Sequence, residues 1–482
     1  MADDRRLIED YLPIEVINER ATTEKVGHPP GHPARLHLWW ARRPLTASRA
    51  AVYATLVHDH RDAKEQDDFF GSLCSLDPPG TALQRARAEI EATYEGKPPK
   101  VLDMFAGGGA IPLEAARLGC DVTAIELNPV AHLIEKCMLA YPQQFPGLAE
   151  DIRKWGRRWV ERAWERLADL YPPLAGGPGQ QGLFSGGMDK KRRPLAYLWT
   201  RTVRCPNPAM AEHRVPLVRQ TWLARKKGRY VALRPMIDRM ALEVGWEVVE
   251  AGTPSDLGFD PAAGSSRGQA TCLLCGATVT ADYVKAEGVA GRIGTAPLAA
   301  VVLRSSGRGR EYLAAGTYPV PDNEECLQQL GKLDVEPPDE ALTIRRITGG
   351  TCLVYGLNQF RDLFTPRQLL TLCRLASGVR EVHAEMVAAG IETERAKAVA
   401  TYLGLVLDRV TDVSSSLVRW DINEKLTNTY ARQALPMVWD FAEANPFGET
   451  RGDVRDYVEQ VADLAGHFSA IRPSTVLRAS AA

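Results

Sequence analysis

The sequence predicts an α/β fold that is interrupted by a β-rich insertion and closed by a helical segment. Three observations predict it. A strand–turn–helix–strand–helix pattern occupies about 100–140, β-type segments follow a Gly/Pro-rich stretch at 172–189, and helical spacing resumes from 365. A chain of 482 residues is long for one domain and suggests two or three. The boundaries drawn from composition are 1–60, 61–171, 172–350 and 351–482.

Residues from about 5 to 58 read as two helices around the loop VGHPPGHPARLHLWWARRPLTASRA, and the polar stretch from 60 to 99 ends in EGKPPK. Val101 and Leu102 then end an apolar strand, Asp103 sits at its tip, and Ala106, Gly107, Gly108 and Gly109 make a tight turn. Ile111, Leu113, Ala115, Ala116 and Leu118 carry helical spacing, and Gly119 stops that helix. A second strand, Val122 to Ile125, delivers Glu126 and Leu127; Asn128 caps the next helix with Pro129 in its first turn. Glycines of this kind admit a ligand close to the backbone at a helix N-terminus, and an acid about 20 residues on is placed for ribose hydroxyls. The order is D-x-F-x-G-x-G (Asp103, Phe105, Gly107, Gly109), not the dinucleotide pattern G-x-G-x-x-G.

An amphipathic helix follows, with Ile152, Trp155, Trp159 and Ala163 as its expected core stripe. Net charge is −1, yet between Lys190 and Arg234 there are thirteen Lys or Arg and one acid, Glu212. Lys190, Lys191, Arg192, Arg193, Arg225, Lys226, Lys227 and Arg229 are the expected phosphate contacts, and the alternative is a solvated basic face. PLVRQTWLARKKGRYVALRP reads as two strands joined at Lys227-Gly228. The nine cysteines are scattered except for the pair Cys272-x-x-Cys275, which suits one local metal site better than a disulfide framework. Cys205 in RCPNP looks like the start of its partner, but Met210 stands where a second cysteine is expected. The alternatives are zinc on Cys205, His213, Cys272 and Cys275, or a small ribbon held by apolar contacts alone. From Thr365-Pro366-Arg367-Gln368, a capping box, the pattern is helical; a second helix starts near Thr393, and a third run over about 424–444 carries Tyr430, Arg432, Gln433 and Trp439. The charged N-terminus and the lack of long apolar runs lead to the expectation of a cytoplasmic protein.

These segments together resemble the zinc-ribbon-containing adenine-specific DNA methylases. The resemblance rests on LIEDYLPIEVIN, HLWWARRPL, DMFAGGGAIPLEA, CPNP with CLLCG, and YLGLVLDRVTD through NTYARQALPMVWDFAEANPF, and runs from about residue 7 onward. It implies a partial Rossmann-like methyltransferase domain that binds S-adenosylmethionine, an inserted zinc-ribbon-like module, double-stranded DNA as partner, and a restriction-modification or phage-defence setting. Trp40, Arg42 and Arg43 fall where related enzymes place a Trp-Ala-containing segment over the methionine part of the cofactor; the alternative is core packing of the tryptophans and surface ion pairs of the arginines. The family's D-P-P-Y, which accepts the adenine amine and stacks the flipped base, is not found. DPPG at 77–80 ends in glycine and precedes the loop, and NPF at Asn445 to Phe447 is one proline short. No catalytic residue is therefore assigned. The expectation is that the catalytic strand comes from a second polypeptide or a neighbouring reading frame, or was lost. A non-catalytic DNA-binding descendant and an RNA amino-methyltransferase component remain as other readings.

Overall fold

The computed structural model describes residues 5–58, 63–174, 193–266, 268–304, 309–342, 351–431 and 434–480. The chain is mixed α/β. In order it forms helices α1 (Leu7–Asp10), α2 (Ile14–Val26), α3 (Leu45–Leu56), α4 (Ala63–Leu73) and α5 (Gly80–Thr93), then strand β1 (Lys100–Asp103), α6 (Ala110–Arg117), β2 (Asp121–Ile125), α7 (Pro129–Leu139), α8 (Tyr141–Gln144) and α9 (Leu148–Leu167). Next come β3 (Pro194–Arg204), β4 (Arg214–Pro216), β5 (Trp222–Lys226), β6 (Arg229–Asp238), β7 (Glu243–Ala251), β8 (Ala270–Thr271) and β9 (Thr278–Val279). Then follow α10 (Ala281–Val289), β10 (Gly294–Leu303), β11 (Arg310–Ala314), α11 (Asn323–Leu330), α12 (Pro366–Ala388) and α13 (Thr393–Asp412). The last elements are β12 (Trp420–Asp421), β13 (Lys425–Leu426), β14 (Asp440–Ala444), α14 (Val454–Phe468) and β15 (Thr475–Leu477).

Two compact units divide the chain: Met1–Arg158 with Val379–Val406 and Val458–Ala482, and Trp159–Gly378 with Leu407–Tyr457. The segment expected over 351–482 is thus shared between the two. The first unit holds a three-stranded parallel sheet in the order β1-β2-β15, with Leu102 opposite Thr123 and Val476 opposite Ala124. The central strand is the most buried: Val122 and Ala124 are inaccessible. Parallel pairing needs a crossover, and α6 supplies it, ending at Gly119 with φ +89°. A buried charge pair joins α3 to α6: Glu114 accepts from Arg49 Nε at 2.5 Å and from Arg117 Nη1 at 2.7 Å. Burial opposes ionisation of Glu114, but the two guanidinium groups hold its carboxyl below the usual range.

The second unit is built on antiparallel sheets. Its largest runs β11-β10-β3-β14, with β4 on the end of β3, and β5-β6-β7 form a separate meander. The hairpin expected at Lys227-Gly228 is present as β5 and β6, with Gly228 at φ +78°. The capping box at the start of α12 also forms: Thr365 Oγ1 accepts from Gln368 N, and Gln368 Oε1 accepts from Thr365 N. The stripe Ile152, Trp155, Trp159 and Ala163 is buried as expected.

One helical expectation fails. The run over 424–444 is no helix among the described residues, and Arg432 and Gln433 lie outside them. The β12–β13 hairpin turns through Glu424 at φ +63°, and residues 440–444 form β14, paired with β3 from Asp440↔Thr200 to Ala444↔Ala196. Pro436 cannot donate within a helix, and a buried partner strand outweighs the helix propensity of alanine and glutamate.

Candidate functional site

In the first unit, the chain after β1 turns on Gly107 (φ +55°) and Gly109 (φ +71°), both in the left-handed region that glycine adopts without penalty. Asp103 Oδ1 accepts from Phe105 N, which shapes the start of the turn. Glu126, at the end of β2, closes it: Oε2 accepts from Gly107 N at 2.7 Å, and Oε1 accepts from Asn128 N at 2.8 Å. Each oxygen keeps a further lone pair, so the carboxylate can still take hydroxyl donors. Asn128 caps α7 as expected, accepting from Val130 N and Ala131 N. Around the loop, large apolar side chains stand in solvent, with Phe105 80% and Leu127 63% exposed. Leu102 and Met104 are also exposed, while Ala106 is buried. An accepting carboxylate, a glycine turn and exposed apolar side chains thus meet at one loop.

A third acid lies beneath the turn. Glu135 of α7 is fully buried, and neither carboxyl oxygen has a hydrogen-bond partner among the described residues. A Cβ on Gly109 would meet Met138 Cε at 2.7 Å and Glu135 Cγ at 3.3 Å, so the glycine lets the turn settle onto α7. Burial pushes the Glu135 carboxyl up to about 8, and the charges of Glu126 and Asp103 add to the effect. Asp103 is itself raised, by burial first and by Glu126 second.

The segment upstream of the loop makes contact with it through Trp39 and Arg42. Trp39 packs on the glycines: a Cβ on Gly108 would lie 2.8 Å from Trp39 Cδ1. Arg42, one of the residues expected in this segment, donates from Nη1 to Gly108 O at 2.7 Å, and burial lowers its guanidinium to about 10. Trp40 and Arg43 are exposed. A doublet of each type cannot be resolved by sequence, because the turn at Trp39–Arg42 decides which member faces inward. On either side of that turn, Glu24 accepts from His32 Nε2 and from the N–H groups of Leu45 and Thr46. Burial opposes its ionisation, but these donors hold Glu24 at about 2.

Residues 11–70 match a family described as a protein of unknown function, DUF1156. No curated protein and no solved structure matches the chain. The matched stretch contains Glu24, Trp39 and Arg42, so it is the part of the chain that buttresses the glycine loop.

The second unit holds the metal candidate. The Sγ atoms of Cys205, Cys272 and Cys275 all lie within 4.8 Å of one another, and Cys205 and Cys275 are 3.6 Å apart. Cys205 follows β3, and Cys272 and Cys275 sit in the β8–β9 hairpin. Zinc–sulfur bonds of about 2.3 Å put tetrahedral sulfurs about 3.8 Å apart, so the three thiols fit zinc. A hydrogen bond from the Ala277 N–H holds the Cys275 thiol down at about 7. His213 does not join the group. Its backbone carbonyl accepts from Cys205 N, while its ring bonds toward the Leu242 backbone. Met210 packs against the apolar cluster around Val203, Val215 and Val284.

The basic cluster divides on inspection. Lys190, Lys191 and Arg192 lie outside the described residues. Lys226 and Arg229, expected as phosphate contacts, both pair with the buried carboxylate of Glu424, and Arg229 also pairs with Glu250. Arg193 lies over the Trp164 ring at 4.1 Å. Arg225 and Lys227 remain exposed, with Arg225 5.5 Å from the Trp222 ring centre. Sequence composition registers the charges but not the acids brought back from residue 424. Glu135 had a readable signal, since it falls between Ala131 and Met138 on the buried stripe of α7. Among the described residues, no helix is long and apolar enough to cross a membrane.

Proposed function

We propose that this chain is the S-adenosylmethionine-binding and DNA-gripping part of an adenine-N6 DNA methyltransferase, of a restriction-modification or phage-defence system. In this reading the first unit is a partial Rossmann-like methyltransferase fold, and the Cys205–Cys272–Cys275 region of the second is a zinc-ribbon-like module. The observation that carries it is the Glu126 carboxylate bridging Gly107 N and Asn128 N beside the exposed Phe105 and Leu127. The cofactor supplies an electrophilic methyl group on a sulfonium. Glu126 would accept from its ribose hydroxyls, Phe105 and Leu127 would cover its adenine, and Trp39 with Arg42 would hold the glycine turn in shape.

The outer edge of β1 supports the rest of the reading. β1 ends the sheet, so its outward backbone groups have no strand partner among the described residues. An unpaired edge of a parallel sheet invites a further strand. A segment bearing D-P-P-Y would pair there and present its acid, proline carbonyl and aromatic ring beside the cofactor loop. No D-P-P-Y occurs within these 482 residues.

Titration calorimetry of the whole chain with S-adenosylmethionine tests the proposal. Binding heat is expected from the wild type, with at least tenfold weaker affinity for Glu126→Ala. Absence of heat from the wild type would sink the cofactor assignment. Methyl incorporation into DNA and tRNA, with and without a D-P-P-Y-containing partner, then separates the DNA reading from an RNA one.

A further inference from the structure

The second unit contains a cavity of about 510 Å³, within the range of small-ligand sites, that the glycine loop does not share. Its wall is unusually aromatic: Trp199, Trp222, Trp420, Trp439 and Phe441 line it. These residues come from β3, β5, β12 and β14 and from the chain just before β14, so the fold gathers them from distant parts of the sequence. The rings are held by defined contacts. Trp199 and Phe441 are nearly parallel (8°) at 6.4 Å, and Trp420 Nε1 donates to Leu223 O at 2.8 Å. Trp222 stands against Tyr230 edge-on.

The same wall also carries polar groups, among them Asp440, Asp421, Asn428 and two arginines. Asp440 accepts from Arg219 N at 2.8 Å and from Thr200 Oγ1 at 3.2 Å. Burial lifts its carboxyl to about 7, so it can donate as well as accept. Arg219 and Arg419 also line the cavity; both are exposed, and neither forms an ion pair among the described residues. Trp199 Nε1 is a buried donor without an acceptor among the described residues.

We infer that this cavity takes a nucleobase of an unpaired or extruded nucleotide, stacked on its tryptophans with Asp440 on the base edge and Arg219 and Arg419 on the flanking phosphates. Planar aromatic walls bind any base through its π-face, and free guanidinium groups at the mouth match a phosphodiester. The inference rests on the DNA-gripping part of the proposed function but not on the cofactor site.

The test uses the cofactor-free full chain and two fluorescein-labelled single-stranded DNA oligonucleotides. One carries 2-aminopurine at its centre, the other an abasic residue at that position. Wild-type protein is expected to quench the 2-aminopurine and to bind that strand about tenfold or more tightly than the abasic one, as loss of one stacked base implies. Trp222→Ala should remove that preference, Trp222→Phe should keep most of it, and Arg419→Ala should weaken both strands equally. Equal wild-type affinity for the two strands, with Trp222→Ala unchanged, would overturn the base pocket and leave DNA gripping intact. No binding of either strand would overturn both. Because none of these readouts involves S-adenosylmethionine, failure of the calorimetric test leaves this one standing.

Discussion

Replacing Glu135 by Gln is expected to stabilise the protein at neutral and alkaline pH, the reverse of what removing a buried polar group usually does. Glu135 is fully buried, has no hydrogen-bond partner among the described residues, and feels Glu126 and Asp103. Its carboxyl stands at about 8 in the folded chain against 4.5 for an ordinary glutamate. Between these values the folded chain holds a proton that the unfolded chain has released. Stability therefore falls as pH rises from about 4.5 to about 8 and is level above that. The pH interval up to 7 is about 2.5, which corresponds to a cost of about 3 kcal/mol at pH 7 and about 5 kcal/mol at pH 8 and above.

Glutamine keeps the volume and removes the ionisation. Urea unfolding of both proteins at pH 4.5, 6, 7 and 8.5 measures the difference, with the transition of the first unit followed separately, because two units need not unfold as one. Glu135→Gln should match the wild type within about 1 kcal/mol at pH 4.5 and exceed it by an amount that grows up to pH 8. Parallel pH profiles, or a variant weaker than wild type at pH 8.5, would show that the carboxyl is not held protonated beneath the glycine turn.

Three further outcomes are expected. Arg367→Met removes the partner of the buried Glu443 carboxylate, which accepts from Arg367 at 2.9 and 2.8 Å, and should cost the second unit about 3–5 kcal/mol in chemical denaturation. Lys227→Ala should weaken DNA binding whatever the sequence and lower the slope of log affinity against log salt by about 1, while Lys226→Ala, whose ammonium is paired with Glu424, should leave the slope unchanged. The purified chain should carry about one zinc per polypeptide by elemental analysis; Cys272→Ser should abolish it, and His213→Ala should retain it because the imidazole lies outside the thiol group.

Much of the first unit was legible because its signals are local. The Gly107–Gly109 turn, the Gly119 stop and the Asn128 cap are each set by residues within a few positions, and each forms as the sequence predicts. What was not legible depends on distant partners. Asp440–Ala444 reads as helical until the long strand β3 is there to pair with it. Lys226 and Arg229 read as free cations until Glu424 is folded against them. Trp39 and Trp40 are indistinguishable by type, and only the turn closed by Arg42 N on Trp39 O sets one of them onto Gly108. The tryptophans of the cavity lie between positions 199 and 439, a separation over which no sequence pattern operates.

The places where the first unit departs from ordinary protein chemistry converge on one loop. Its other buried carboxylates are satisfied: Glu24 by His32 and two backbone donors, Glu114 by Arg49 and Arg117. Glu135 alone among the three is left without a partner, and it lies under Gly109. The same turn carries Phe105, exposed over most of its surface at the end of a strand whose outer edge is open. Packing alone accounts for neither the unpaired acid under Gly109 nor the bare aromatic at the start of the same turn. Local rules are broken where a ligand or partner completes them. On the proposed function, the glycine turn is where both act: a cationic nucleoside against the acids, and a further strand against β1.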